Sequence, residues 1–316
     1  MTSPGTRTAG LAVALLLGVA VSLTACSSSQ SGPAATSSAS AGAANCPTTP
    51  VDVVVSVDQW GDIVSALGGS CAKVTTVLAS SSVDPHDYEP SPADAADFST
   101  AQLVVVNGAD YDPWATKLAS STAPAAPVVD AAQVTDTPDG ANPHLWYSPS
   151  AIDAVADAVT AELGNLAPDA ATYFADQRAA FTAAVQPYTA LIAKIKSEAA
   201  GKTYAASEGV FDYLAQALGL VNKTPEGYQT AAANESDPSP ADLDAFRRAL
   251  ADRQIDVLIY NTQTQGSIPE QIRSAAEQAR VPVVEVTETV APGADSFENW
   301  QVAQLTALAK ALGIDL

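Results

Sequence analysis

The 316-residue chain contains only two histidines, and both occupy the same local setting. His86 lies in Asp84-Pro85-His86-Asp87-Tyr88, and His144 in Asn142-Pro143-His144-Leu145-Trp146. Each follows a proline, which fixes its own φ and biases the residue before it toward an extended conformation. Each imidazole therefore rides on a stiffened loop. Two glutamates stand in comparable places. Glu208 follows the apolar run Thr203–Ala206, in Ser207-Glu208-Gly209, and Glu288 follows Val283–Val286, in Thr287-Glu288-Thr289. Imidazoles and carboxylates can hold a metal. Each also has an ordinary role open to it: a surface histidine, a glutamate beside a helix N-terminus, or a solvated loop acid.

The elements that must position these side chains are legible from apolar patterning. In the first half, β-rich runs fall at Val51–Val57, Val74–Leu78, Leu103–Val106 and Val128–Val129. In the second half they fall at Thr203–Ala206, Val257–Tyr260 and Val283–Val286. They alternate with helical patterns, which indicates βα units and an α/β fold with largely parallel sheets. Such sheets gather ligand-binding groups outside the carboxyl ends of their strands, where these loops lie. About 270 residues suit two modest lobes better than one core.

One segment breaks the alternation. From Pro168 to about Lys202, apolar residues at Phe174, Phe181, Val185, Tyr188, Ile192 and Ile195 follow one helical stripe. The spacing predicts a long helix dividing the chain nearly in half, with a local kink at Pro187. The halves also echo each other. Glu89-Pro90-Ser91-Pro92-Ala93-Asp94 precedes a helix and a strand ending at Asn107, and Asp237-Pro238-Ser239-Pro240-Ala241-Asp242 precedes a helix and a strand ending at Asn261. In both, serine suits the N-cap, proline the first turn, and the acid complements the helix N-terminus.

The N-terminus reads as an export signal. Arg7 precedes an apolar run from Leu11 to Leu23, too short for a comfortable membrane span. Leu23-Thr24-Ala25-Cys26 is similar to a bacterial lipobox, with Cys26 as the lipid-carrying residue and a Ser/Ala/Gly-rich tether behind it. An even remaining pair, Cys46 and Cys71, favours a structural disulfide in an exported chain, contributing about 3 kcal/mol. The formal net charge of -21 argues against nucleic acid and anionic membrane surfaces as partners.

DPHDYEPSP, Asn107-Gly108, NPHLW, SEGVFDYL and VPVVEVTET, in that order, resemble the zinc/manganese ABC-transporter solute-binding lipoprotein family (TroA-like), which includes adhesin-type lipoproteins. The likeness covers nearly all of residues 47–316. It implies two βα lobes joined by one long rigid helix, with the metal in the cleft between them. The chain then divides into a signal peptide (1–25), a lipid-anchored tether (26–45), an N-terminal lobe (46–167), a linking helix (168–200) and a C-terminal lobe (201–316). Carried over by position, the ligands fall on His86, His144, Glu208 and Glu288. Many zinc-specific members have histidine at the position of Glu208, and manganese-type members commonly have glutamate. Asn142 replaces a common aspartate, and the histidine-rich loop of many zinc members is absent.

The resemblance implies a monomeric receptor on the extracytoplasmic face of the cell membrane. It would be anchored through acylated Cys26 and would deliver Mn2+ or Zn2+ to an ABC-transporter membrane permease. Two neutral imidazoles and two carboxylates match the charge of a divalent ion, and their nitrogen and oxygen suit first-row metals. An exported metalloenzyme with a two-histidine/carboxylate site is the main alternative. Four protein ligands leave little room for an activated water, and neither a zinc-protease helix motif nor a nucleophile elbow is present. The expectation is therefore that the chain is not an enzyme. A surface adhesin with the same fold is a second alternative.

Overall fold

The computed structural model describes residues 46–79, 88–264, 266–291 and 293–316. The signal segment, Cys26, the tether and His86 lie outside the described residues.

Two four-stranded, all-parallel sheets organise the chain. The first contains β1 (Val51–Val57), β2 (Ala72–Leu78), β3 (Leu103–Val106) and β4 (Val128–Asp130), in the order β2-β1-β3-β4. The second contains β5 (Thr203–Ala206), β6 (Val221–Asn222), β7 (Val257–Asn261) and β8 (Val283–Val286), in the order β6-β5-β7-β8. The two lobes therefore share one permutation of strands. Central β3 and β7 are buried along their whole length, as strands covered on both faces must be. The direction of winding changes between β1 and β3, and again between β5 and β7. Open parallel sheets bind ligands outside the carboxyl ends of the strands at such points.

Local chemistry explains the helices that set these strands. Trp60, Ile63, Val64 and Leu67 are buried along one stripe of helix Asp58–Gly68, which seals the first sheet. The repeated motif behaves alike in both lobes. Ser91 caps Pro92–Ser99 by accepting from the Asp94 N–H, and Ser239 caps Pro240–Ala251 by accepting from the Asp242 N–H. Cys46 and Cys71 form a disulfide that ties the entry of β1 to the turn before β2.

The long connecting helix is bent. It runs as Ala171–Ala184 and Gln186–Ala199, broken at Val185. Pro187 has no N–H to continue the ladder, and the break falls two residues N-terminal to its ring. Phe174, Phe181, Tyr188 and Ile195 remain buried through the bend. Its second half packs against the C-terminal helix Phe297–Ala311, which also reaches helix Asp58–Gly68 of the first lobe. A continuous apolar core results, running from Val51 to Ile314 through both lobes. At its centre the Tyr147 ring lies 5.5 Å from Phe211 and 5.8 Å from Trp300.

Candidate metal centre

His144, Glu208 and Glu288 converge: one ligand atom from each lies within 4.8 Å of the other two. The first comes from the first lobe and the two acids from the second. His144 is 6% exposed and follows Pro143 into the single turn Leu145–Tyr147. Asn107, directly after β3, holds that loop by donating from Nδ2 to Pro143 O at 2.9 Å. Its Oδ1 accepts from Trp60 Nε1 at 2.9 Å, so a buried indole orients the amide. Gly108 is required beside it, because its φ is +72° and a Cβ would come within 2.2 Å of the Asp130 carboxylate.

Glu208 leaves β5 in extended backbone and accepts at Oε2 from Asn261 Nδ2 at 2.9 Å and from the Thr264 hydroxyl. Asn261 is the last residue of β7, and Asn107 directly follows β3. Glu288 follows β8. Its N–H and that of Thr289 donate to Gln263 Oε1, and its Oε1 accepts from Tyr111 OH at 2.8 Å. Gln59 Nε2 donates to Glu288 O at 3.0 Å, a second link from the first lobe. Residues 261–264 thus position both acids.

The imidazole is prepared for a cation. Its Nδ1 faces Asn142 Oδ1 at 2.6 Å, while Nε2 is buried, has no hydrogen-bond partner among the described residues and lies 3.6 Å from Glu288 Oε1. Burial pushes the His144 pKa down, but Glu288, Glu208 and Asp212 outweigh it, and the net shift is upward. Burial and the Glu288 charge push Tyr111 well above its usual range, which keeps its phenol a donor. With His144 neutral, the three side chains carry two negative charges, the complement of one divalent ion. Proton transfer between imidazole and carboxylate is the other chemistry such a set could perform.

All three described members of the expected ligand set are therefore brought together. Tyr111, Asn261, Gln263 and Thr264 were not anticipated. Of these, only Asn261 left a trace in the sequence, through its match to Asn107.

The family described as periplasmic zinc-uptake complex component A (ZnuA) matches residues 53–311. The chain is 24% identical over 217 residues to the high-affinity zinc uptake system protein ZnuA of Bacillus subtilis, covering 63% of this chain and 67% of that protein. It is 25% identical over 177 residues to the manganese-binding lipoprotein MntA of Halalkalibacterium halodurans, covering 53% of this chain and 58% of that one. Aligned stretches thus span about two-thirds of the first of these proteins and somewhat over half of the second. Among solved structures, FpvC of Pseudomonas aeruginosa in complex with Mn2+ superposes with a TM-score of 0.68 at 23% identity, covering 84% of this chain and 99% of that one. The Cd-bound periplasmic metal binding protein of Candidatus Liberibacter asiaticus gives 0.68 at 18%, covering 83% and 99%.

Proposed function

This chain belongs to the periplasmic zinc-uptake component A family, and from that premise we propose that it is the extracytoplasmic receptor of an ABC importer. It captures a divalent transition metal, manganese or zinc, and hands it to the membrane permease. The observation that carries the reading is the convergence of His144, Glu208 and Glu288 from two lobes. These three are ligands in this account, and His86 is the fourth by its place in the sequence. A closed four-ligand site suits carriage, since catalysis by a metal centre needs an open position for water or substrate. Export by residues 1–25 and anchoring through acylated Cys26 complete the reading, and Cys26→Ala is expected to release the protein from the membrane.

Metal analysis of the purified protein after mild loading tests the reading. About one metal per chain is expected, falling to near zero when Glu208 and Glu288 are both changed to alanine. A doubly substituted chain that loads normally would remove its basis.

A further inference from the structure

Asn142 sits where the His144 and Glu208 loops meet, and both ends of its side-chain amide are engaged. Its Oδ1 accepts from the His144 backbone N–H at 3.0 Å and faces the His144 Nδ1 at 2.6 Å. Its Nδ2 donates across the cleft to Gly209 O at 2.6 Å, on the residue after Glu208. Its backbone carbonyl accepts from Tyr213 OH at 2.8 Å, again from the second lobe. A backbone N–H can only donate and a carbonyl can only accept, so both ends of the amide are oriented by their partners. With Oδ1 fixed as acceptor, Nδ1 must carry the imidazole proton, and the lone pair falls on Nε2. The loops meet closely, since a Cβ on Gly209 would stand 3.2 Å from Nδ2.

We propose that Asn142 is a positioning residue of the centre: its amide sets the tautomer of His144 and locks the His144 loop to the Glu208 loop. This rests on His144 and Glu208 being ligands. Aspartate at 142 would keep the shape and still accept from Nδ1. It would, however, place a carboxylate oxygen against the Gly209 carbonyl. The cross-cleft donor is what asparagine alone supplies here.

With only two histidines in the chain, imidazole nitrogen spectra are simple to read. They are recorded on 15N-labelled metal-free protein above the ordinary histidine titration range, with His144→Ala assigning the signals. Wild type and Asn142→Asp are expected to carry the His144 proton on Nδ1, and Asn142→Ala to lose that signature. Zinc competition against a chromophoric chelator should show Asn142→Ala binding about 10- to 100-fold more weakly. Hydrogen exchange over residues 207–213 should quicken in both Asn142 variants. A wild-type His144 protonated at Nε2, or an Asn142→Ala that keeps both signature and affinity, overturns the proposal. Unchanged exchange in Asn142→Asp overturns its cross-cleft half. If His144→Ala binds zinc as tightly as wild type, the ligand reading fails instead, and the apo tautomer does not depend on it.

Discussion

Asn107 and Asn261 close equivalent strands of the two lobes, and each directs its side-chain Nδ2 at the centre. Asn107 donates to Pro143 O, one residue before His144, and Asn261 donates to the Glu208 carboxylate, both at 2.9 Å. The duplicated strand order therefore extends to the residues that hold the site.

Their removal should have different consequences. Asn107→Ala leaves the buried Trp60 Nε1 without its acceptor, and a buried unsatisfied donor costs about 1–3 kcal/mol. Asn261→Ala should lower stability less and metal affinity more, by about 10- to 100-fold, because it supports a ligand. Denaturant melts and chelator competition on both variants measure the contrast. Equal stability losses with unchanged affinity would contradict it.

Acidification should weaken binding. A protonated imidazole has no lone pair for a metal, and nearby acids raise the His144 pKa above the ordinary value of about 6.5. In the metal-free protein the sign is opposite: a raised folded pKa contributes stability that is fully present below about 6.5 and lost as pH rises through the folded value. The gap in melting temperature between loaded and apo protein should therefore widen from about pH 5 to about pH 8. A gap independent of pH would argue against imidazole ligation.

Loading should change the lobe arrangement only slightly. The core is continuous through both lobes, and Tyr147 of the first packs between Phe211 and Trp300 of the second. Opening a wide hinge would expose those rings. Small-angle scattering of apo and loaded protein should give closely similar radii of gyration, and a large compaction would be inconsistent with this packing.

Glu208 is the position where metal choice can be probed. A carboxylate there adds oxygen and permits a larger coordination number, whereas histidine favours compact tetrahedral zinc. Glu208→His should raise the zinc-over-manganese preference, and Glu208→Gln should weaken both metals. Competition titrations on the three proteins check this. An unmoved preference in Glu208→His would take away the main support for manganese as cargo.

Much of this architecture was legible because the information is local. Valine-rich runs announce buried strands, and Ser-Pro-Ala-Asp announces a capped helix in each lobe. β6 escaped notice because it is two exposed residues long, with no apolar face to leave a pattern. The Glu208 and Glu288 loops were visible as polar breaks after strands, whereas the His144 loop comes after helix Ala131–Val134 and was visible through its Pro-His pair. Their supports were not, since Tyr111 reaches Glu288 across 177 positions and Asn142 reaches Gly209 across 67. Ala109 and Asp110 turn the chain toward Tyr111 with φ of 52° and 61°, a left-handed choice that aspartate favours but alanine does not signal. Such relationships arise only once two lobes have closed on each other.

The most direct test is anomalous diffraction at the zinc or manganese edge from crystals of loaded protein. One peak per chain is predicted in the cleft, about 2.0–2.2 Å from His144 Nε2 and from a carboxylate oxygen of both Glu208 and Glu288. A peak bound by other residues, or none in protein shown to carry metal, would contradict the account.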